Sequence, residues 1–326
     1  MKKPLALAVA ALAVVAACEG TSPTSTTPLT PTASSQARGE VGQPELVMLG
    51  AQSVRGYAGN PNKVYGNMTL HNGNIMPSSV TYAIFWGPGW NTNSTFTADK
   101  LPGIASFLTG FGGSHYVHAS TEYNGVNGQF VGTSSTYMGQ FVDNAAAPSA
   151  APQVSAVQSE VCKVLSANGV APRSDAVYNV YATTPRGGAG YCAWHSYGSC
   201  NGVAVQFAWY FNLDGDSGCN PGTPYGSYTS GHTNSQGLAA IANVTAHEVS
   251  ETITDPRNGG WYDAGNGENA DKCAWSFSPN NSGLVTLSNS STWRLQMEWS
   301  NAAFSAGTGY ANRHAQNACL DGIVKY

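Results

Sequence analysis

Apolar residues recur along the chain in two rhythms, and together they lay out the secondary structure. Ser79 to Trp86, SVTYAIFW, is β-branched and aromatic and stops at Gly87-Pro88-Gly89, the mark of a short buried strand. Thr97 to Leu108 predicts a helix, with Leu101, Ile104, Ala105 and Leu108 on one stripe. A turn-rich stretch follows, with strands expected near Gln129 to Val131. Pro152 to Ala167 carries Val154, Val157, Val161, Val164 and Leu165 at helical spacing and is stopped by Asn168-Gly169. Ala176 to Ala182 and Val203 to Phe211 read as strands, Gln236 to Thr254 as a long helix and Trp293 to Trp299 as another strand. No repeat is visible. Strands alternating with helices predict an α/β domain, with α+β as the alternative: a single layered domain, a mixed sheet with packed helices.

The first residues, MKKPLALAVAALAVVAACEG, place two lysines before an apolar run and a small-residue site, which predicts a signal peptide over 1–17. Val15-Ala16-Ala17-Cys18 is similar to the bacterial lipobox, so Cys18 is the expected lipidation site. Residues 18–45 are rich in Thr, Ser and Pro, too poor in large apolar side chains to offset the entropy of ordering, and read as a linker. The globular domain is expected over 46–326. The expected location is extracellular or at the cell surface, with a lipid anchor as the sole membrane attachment.

Only 10% of residues are charged and the formal net charge is -4, so there is no basic stripe for nucleic acid. Six further cysteines, Cys162, Cys192, Cys200, Cys219, Cys273 and Cys319, form an even set in an exported chain and predict up to three disulfides. None of them lies in a Cys-x-x-Cys pair. Cys192 with Cys200, closing a loop around AWHSYGS, is the favoured local bridge, and Cys273 with Cys319 is the second pairing considered.

Candidate chemistry concentrates in AHEVSETITDP, Ala246 to Pro256. It reads as the zinc helix His-Glu-x-x-His with its last letter changed to Glu. At 100° per residue, Leu238, Ile241, Ala242, Thr245, Val249 and Ile253 share one side of the helix, while His247 and Glu251, one turn apart, share the other. They are the expected metal pair. Glu248 stands where a zinc enzyme keeps the general base that deprotonates bound water. A catalytic zinc needs a third protein ligand, and the candidates just downstream are Asp255 and then Asp263, Glu268 and Asp271 within WYDAGNGENADKC. Asp255-Pro256 ends the helix and the following glycines let the chain turn back beneath it.

The same acids support a calcium alternative, in which Asp263, Asn266, Glu268 and Asp271 supply hard oxygen ligands, although their spacing is not that of an EF-hand. His71, His115, His118, His195, His232 and His314 show no ligand spacing beyond the pair His115 and His118, which reads as a hydrogen-bonding pair. No Gly-x-Ser-x-Gly elbow occurs. Trp90 and Tyr225 could stack on sugars, but packing is their commoner use.

HEVSE, Asp255-Pro256, Trp261-Tyr262 and Glu268-x-x-Asp271-x-Cys273, with SVTYAIFWGPGW earlier, resemble the phosphate-induced protein or EXORDIUM-like family from about Val64 to Cys319. Asp255 departs from the Asn usual in plant members, so the resemblance favours Glu268 or Asp271 as the third ligand. The resemblance implies secretion and a cell-wall association without a settled reaction. The order of elements also resembles the N-terminal subdomain of zincin metalloproteases. The expected function is an exported cell-surface hydrolase, zinc-dependent and peptidase-like. The alternative is a non-catalytic extracellular or cell-wall module that binds polysaccharide or a protein partner, with structural calcium or no metal.

Overall fold

The computed structural model describes residues 66–91 and 98–322, together with the backbone of 46–49. All of these lie in one compact unit, Ala37–Tyr326. The expected signal peptide, Cys18 and the whole linker lie outside the described residues.

The elements follow in the order β1 (Leu46–Leu49), β2 (Thr69–Leu70), β3 (Ser79–Trp86), α1 (Lys100–Phe111), β4 (Ser135–Asp143), α2 (Val154–Ala167), β5 (Ala176–Pro185), β6 (Tyr191–Cys200) and β7 (Val203–Asn212). After them come β8 (Gly226–Ser227), α3 (Gln236–Thr254), β9 (Trp261–Tyr262), α4 (Asn269–Lys272), β10 (Leu284–Thr286), β11 (Thr292–Arg294), β12 (Glu298–Trp299), α5 (Asn301–Ala306), β13 (Tyr310–Ala311) and β14 (Asn317–Leu320). The main sheet runs β1-β6-β7-β5-β3-β4. Strands β7, β5, β3 and β4 are parallel, whereas β6 is antiparallel to both β7 and β1. Helices packed on a mixed sheet make this the expected α/β class.

Helix α3 begins at Ser235, whose hydroxyl accepts the Leu238 amide at 3.1 Å and donates to Asp99 Oδ1 at 2.8 Å. An exposed helix would bury one stripe, but every residue from Gly237 to Thr254 is buried. The polar side, His247, Glu248 and Glu251 included, therefore faces protein as the apolar side does. On the sheet below, Tyr181 stacks on Tyr210 with ring centroids 4.7 Å apart, and the Tyr181 and Thr245 hydroxyls are 3.2 Å apart. The helix ends as its sequence predicts. Asp255 Oδ1 accepts the Gly259 and Gly260 amides at 2.8 and 2.7 Å, and a Cβ on Gly260 would sit 2.1 Å from the Thr254 carbonyl oxygen. Only glycine lets the return segment pass so close.

Several expectations are corrected. Strand β4 was hidden in the turn-rich stretch because its burial alternates along an edge and polar residues and a glycine interrupt its apolar ones. Near Gln129 to Val131 there is only an isolated bridge, Asn124 with Phe130. Trp293 to Trp299 is two short strands, β11 and β12, because Gln296 between them is drawn inward: its amide N–H donates to Asn243 Oδ1 at 2.8 Å. AWHSYGS is not a loop but the middle of β6. At about 3.3 Å per residue a strand holds Cys192 and Cys200 roughly 26 Å apart, far beyond disulfide reach. The observed bridges are Cys162–Cys200, Cys192–Cys219 and Cys273–Cys319, the last as considered from the sequence. Three disulfides mark an oxidising, extracellular setting. Among the described residues, no helix is long and apolar enough to cross a membrane. Trp90 is a core residue, in line with packing rather than sugar stacking.

Candidate metal centre

The return segment brings the downstream acids to α3. Glu268 and Asp271 occupy the reciprocal capping positions of α4, which accounts for their Glu-x-x-Asp spacing. The Asp271 amide donates to Glu251 Oε1 at 3.0 Å, tying α4 to α3. Behind it, Cys273–Cys319 fastens the end of α4 to β14.

Two overlapping groups result: His247, Glu251 and Asp271, and His195, Glu251 and Glu268. Within each group the ligand atoms all lie within 4.8 Å of one another. The four expected ligands, His247, Glu251, Glu268 and Asp271, thus converge with Glu248 beside them. His247 Nε2 is 3.1 Å from Glu251 Oε1 and 3.6 Å from Asp271 Oδ1.

The sixth member is His195, a residue without ligand spacing in the sequence. It stands on β6, and its Nδ1 is 3.1 Å from Glu248 Oε2 and 3.5 Å from Glu251 Oε2, while its Nε2 is 3.8 Å from Glu268 Oε2. No local spacing could reveal it, because 53 residues separate it from Glu248. The one available signal is a His between the buried Trp194 and Ser196 of β6, a strand whose mixed sequence reads as a loop.

Asp263 does not join them. Its Oδ1 accepts the Gly265 and Gly267 amides at 2.8 and 2.9 Å, and its Oδ2 takes the Lys272 ammonium at 2.5 Å. The ring of calcium oxygens imagined around this turn is therefore divided. Asp263 is engaged by a cation of the chain, while Glu268 and Asp271 serve the helix.

Four carboxylates and two imidazoles meet here, and His195, His247, Glu248, Glu251 and Glu268 are all at most 1% exposed. Carboxylates out of water must be neutralised by protons or by a cation. In the metal-free protein, protons do part of this. Burial would raise Glu251, but His247 and His195 outweigh it and hold the carboxyl down at about 2. Burial, reinforced by the Glu251 charge, pushes Asp271 up to about 8, and burial likewise raises Glu248. Glu298, a further buried carboxyl, is pushed up by burial to about 8. The Tyr116 hydroxyl is 2.5 Å from Glu298 Oε1 and 2.9 Å from the Gln296 carbonyl oxygen. Its single proton serves one of them, so a neutral Glu298 that donates to the tyrosine oxygen satisfies both contacts.

A pH dependence follows. Unfolded, these carboxyls ionise near pH 4; folded, Asp271 and Glu298 keep their protons to about 8. The native state then holds protons that the unfolded state releases, so stability present below about pH 4 is lost as the pH rises towards 8. Glu251 acts oppositely, its contribution being lost as the pH falls from about 4.5 to about 2. Urea unfolding of metal-stripped protein is expected to show its highest midpoint near pH 4–5 and a decline to pH 8. A midpoint that rises over that interval would contradict the proton-filled cluster.

No family model, no curated protein and no solved structure matches the chain, so the geometry of the cluster is what its function has to be argued from.

Proposed function

We propose that the protein is an exported metalloprotein whose buried centre takes a divalent cation of the zinc type and supports hydrolysis of a peptide-like substrate. The observation that carries this is Glu251. Its carboxylate lies between two imidazoles, is fully buried, and its Oε2 makes no hydrogen bond within the described structure. Such an oxygen inside a protein is costly unless a cation meets it. Mixed nitrogen and oxygen ligands suit zinc better than calcium, which takes six to eight oxygens.

Glu248 supplies the chemistry. One of its oxygens faces His195, and Oε1 makes no hydrogen bond within the described structure. Its raised pKa brings its basicity closer to that of a proton acceptor working at neutral pH. The resemblance to EXORDIUM-like proteins and the three disulfides support an extracellular or cell-wall setting, and the lipid anchor at Cys18 remains part of this reading. A second reading, a structural metal in a non-catalytic module that binds polysaccharide or a protein partner, draws on the complete burial of the cluster.

The test is retention of metal. Protein purified without chelators is expected to carry zinc through desalting and to melt at lower temperature once stripped. Zinc at one hundred times its Kd would restore about 2.7 kcal/mol, and calcium at the same concentration would not. Protein that holds no metal and shows no shift with zinc would end the proposal. Peptide hydrolysis that vanishes in Glu248→Gln, with zinc retained, would separate the catalytic reading from the structural one.

A further inference from the structure

Two triads share Glu251, and the metal reading by itself does not say which of them holds the ion. Resting on that reading, we infer that a single cation is held by His195, Glu251 and Glu268, and that the helix histidine, His247, is a positioning residue and not a ligand.

The distinction comes from the far nitrogen of each ring. A neutral imidazole that gives one nitrogen's lone pair to a metal carries its proton on the other nitrogen, and needs an acceptor there. His247 has a donor instead. Gln296 Nε2 lies 2.8 Å from the Ala270 carbonyl oxygen, which can only accept, so the amide nitrogen belongs at that end. The same nitrogen is 3.0 Å from His247 Nδ1. Turning the amide over would set its oxygen against the Ala270 carbonyl, and the Gln296 backbone is itself held by Asn243. His247 Nδ1 therefore accepts and its ring proton sits on Nε2, which faces Glu251 Oε1 across 3.1 Å without a hydrogen bond within the described structure.

His195 has the opposite arrangement. Its Nδ1 faces the carboxylate of Glu248 at 3.1 Å, which accepts the ring proton and leaves Nε2 in the form a metal takes. Nε2 and Glu268 Oε2 are 3.8 Å apart. Two ligands about 2.0–2.2 Å from a tetrahedral zinc stand roughly 3.3–3.6 Å apart, so a shift of a few tenths of an ångström closes the site.

Glu251 completes the division. Its Oε1 accepts the Asp271 amide at 3.0 Å and stands 3.1 Å from His247 Nε2, while Oε2, 3.5 Å from His195 Nδ1, makes no hydrogen bond within the described structure. The Asp271 amide, with the His247 ring packed against the same oxygen, thus holds one side of the carboxylate and leaves the other for the ion.

The experiment is nitrogen-15 NMR of histidine-labelled full chain, titrated with zinc, together with metal stoichiometry. The expected result is one zinc per chain, a His195 Nε2 resonance that shifts on binding, and a His247 ring that keeps its Nε2 proton throughout. His195→Ala should lose stoichiometric zinc. His247→Gln, which still offers an N–H to Glu251, should keep one equivalent with affinity about 10- to 100-fold weaker, as for residues behind a ligand. His247→Ala should bind more weakly still. Two zinc ions per chain, or loss of the His247 Nε2 proton on zinc binding, would overturn the assignment while leaving a metal site in place. No zinc at all would remove the metal reading and this inference together. The wild-type spectra decide the matter even where a variant fails to fold.

Discussion

Glu251→Ala is expected to lose about 3–5 kcal/mol of folding stability, the usual cost of removing one partner from a buried ionic cluster, and with it all specific retention of zinc. The size of the effect comes from how many groups lean on one carboxylate. Glu251 Oε1 accepts the Asp271 amide and faces His247 Nε2, and Oε2 faces His195. Its absence leaves two buried gaps, the imidazoles without the carboxylate they face and the α4 amide without its acceptor. Glu251→Gln is the companion variant. It retains an oxygen and the shape of the side chain, so it should fall between wild type and Ala in chemical unfolding, yet it cannot serve as an anionic ligand. A Glu251→Ala protein that unfolds at the wild-type denaturant concentration would show that the cluster carries no such load. One that still retained zinc would exclude Glu251 as the shared ligand.

Removing the Cys273–Cys319 bridge, as a double Ala variant, is the second large effect. The half-cystines are 46 residues apart, and closing a loop of that length contributes about 4 kcal/mol through the entropy of the unfolded chain. This bridge also stands at the end of the short helix that carries Glu268 and Asp271. Its loss should therefore weaken zinc binding as well as the fold. The Cys192–Cys219 bridge supplies the control, because a separation of 27 contributes only a little less, about 3.5 kcal/mol, at a distance in sequence from α4. Measured by urea unfolding and zinc titration, the two double variants should lose similar stability but differ in affinity. Equal affinities would mean that α4 is held by its contacts with α3 and not by the disulfide.

Local patterns fared unevenly for physical reasons. The α3 boundaries, Gln236 to Thr254, match expectation because a serine cap and an Asp-Pro stop are written into neighbouring residues. β3 and β7 were legible because buried strands read as continuous apolar runs. β6 was not: CAWHSYGS mixes aromatic, polar and small residues, and its strand character comes from partners on both sides, β7 and β1.

By itself the sequence determined the layered α/β class, the long helix, the His247, Glu248 and Glu251 cluster on one side of it, and the return of Glu268 and Asp271, since each depends on spacing along a single stretch of backbone. Tertiary structure alone decided the rest. It buried the polar side of α3, assigned Asp263 to Lys272, and paired Cys162 with Cys200 and Cys192 with Cys219. It also set His195 against Glu248 and Gln296 against His247. These residues meet through sheet pairing and chain return, and the direction in which a neighbour offers a proton has no counterpart in the order of letters.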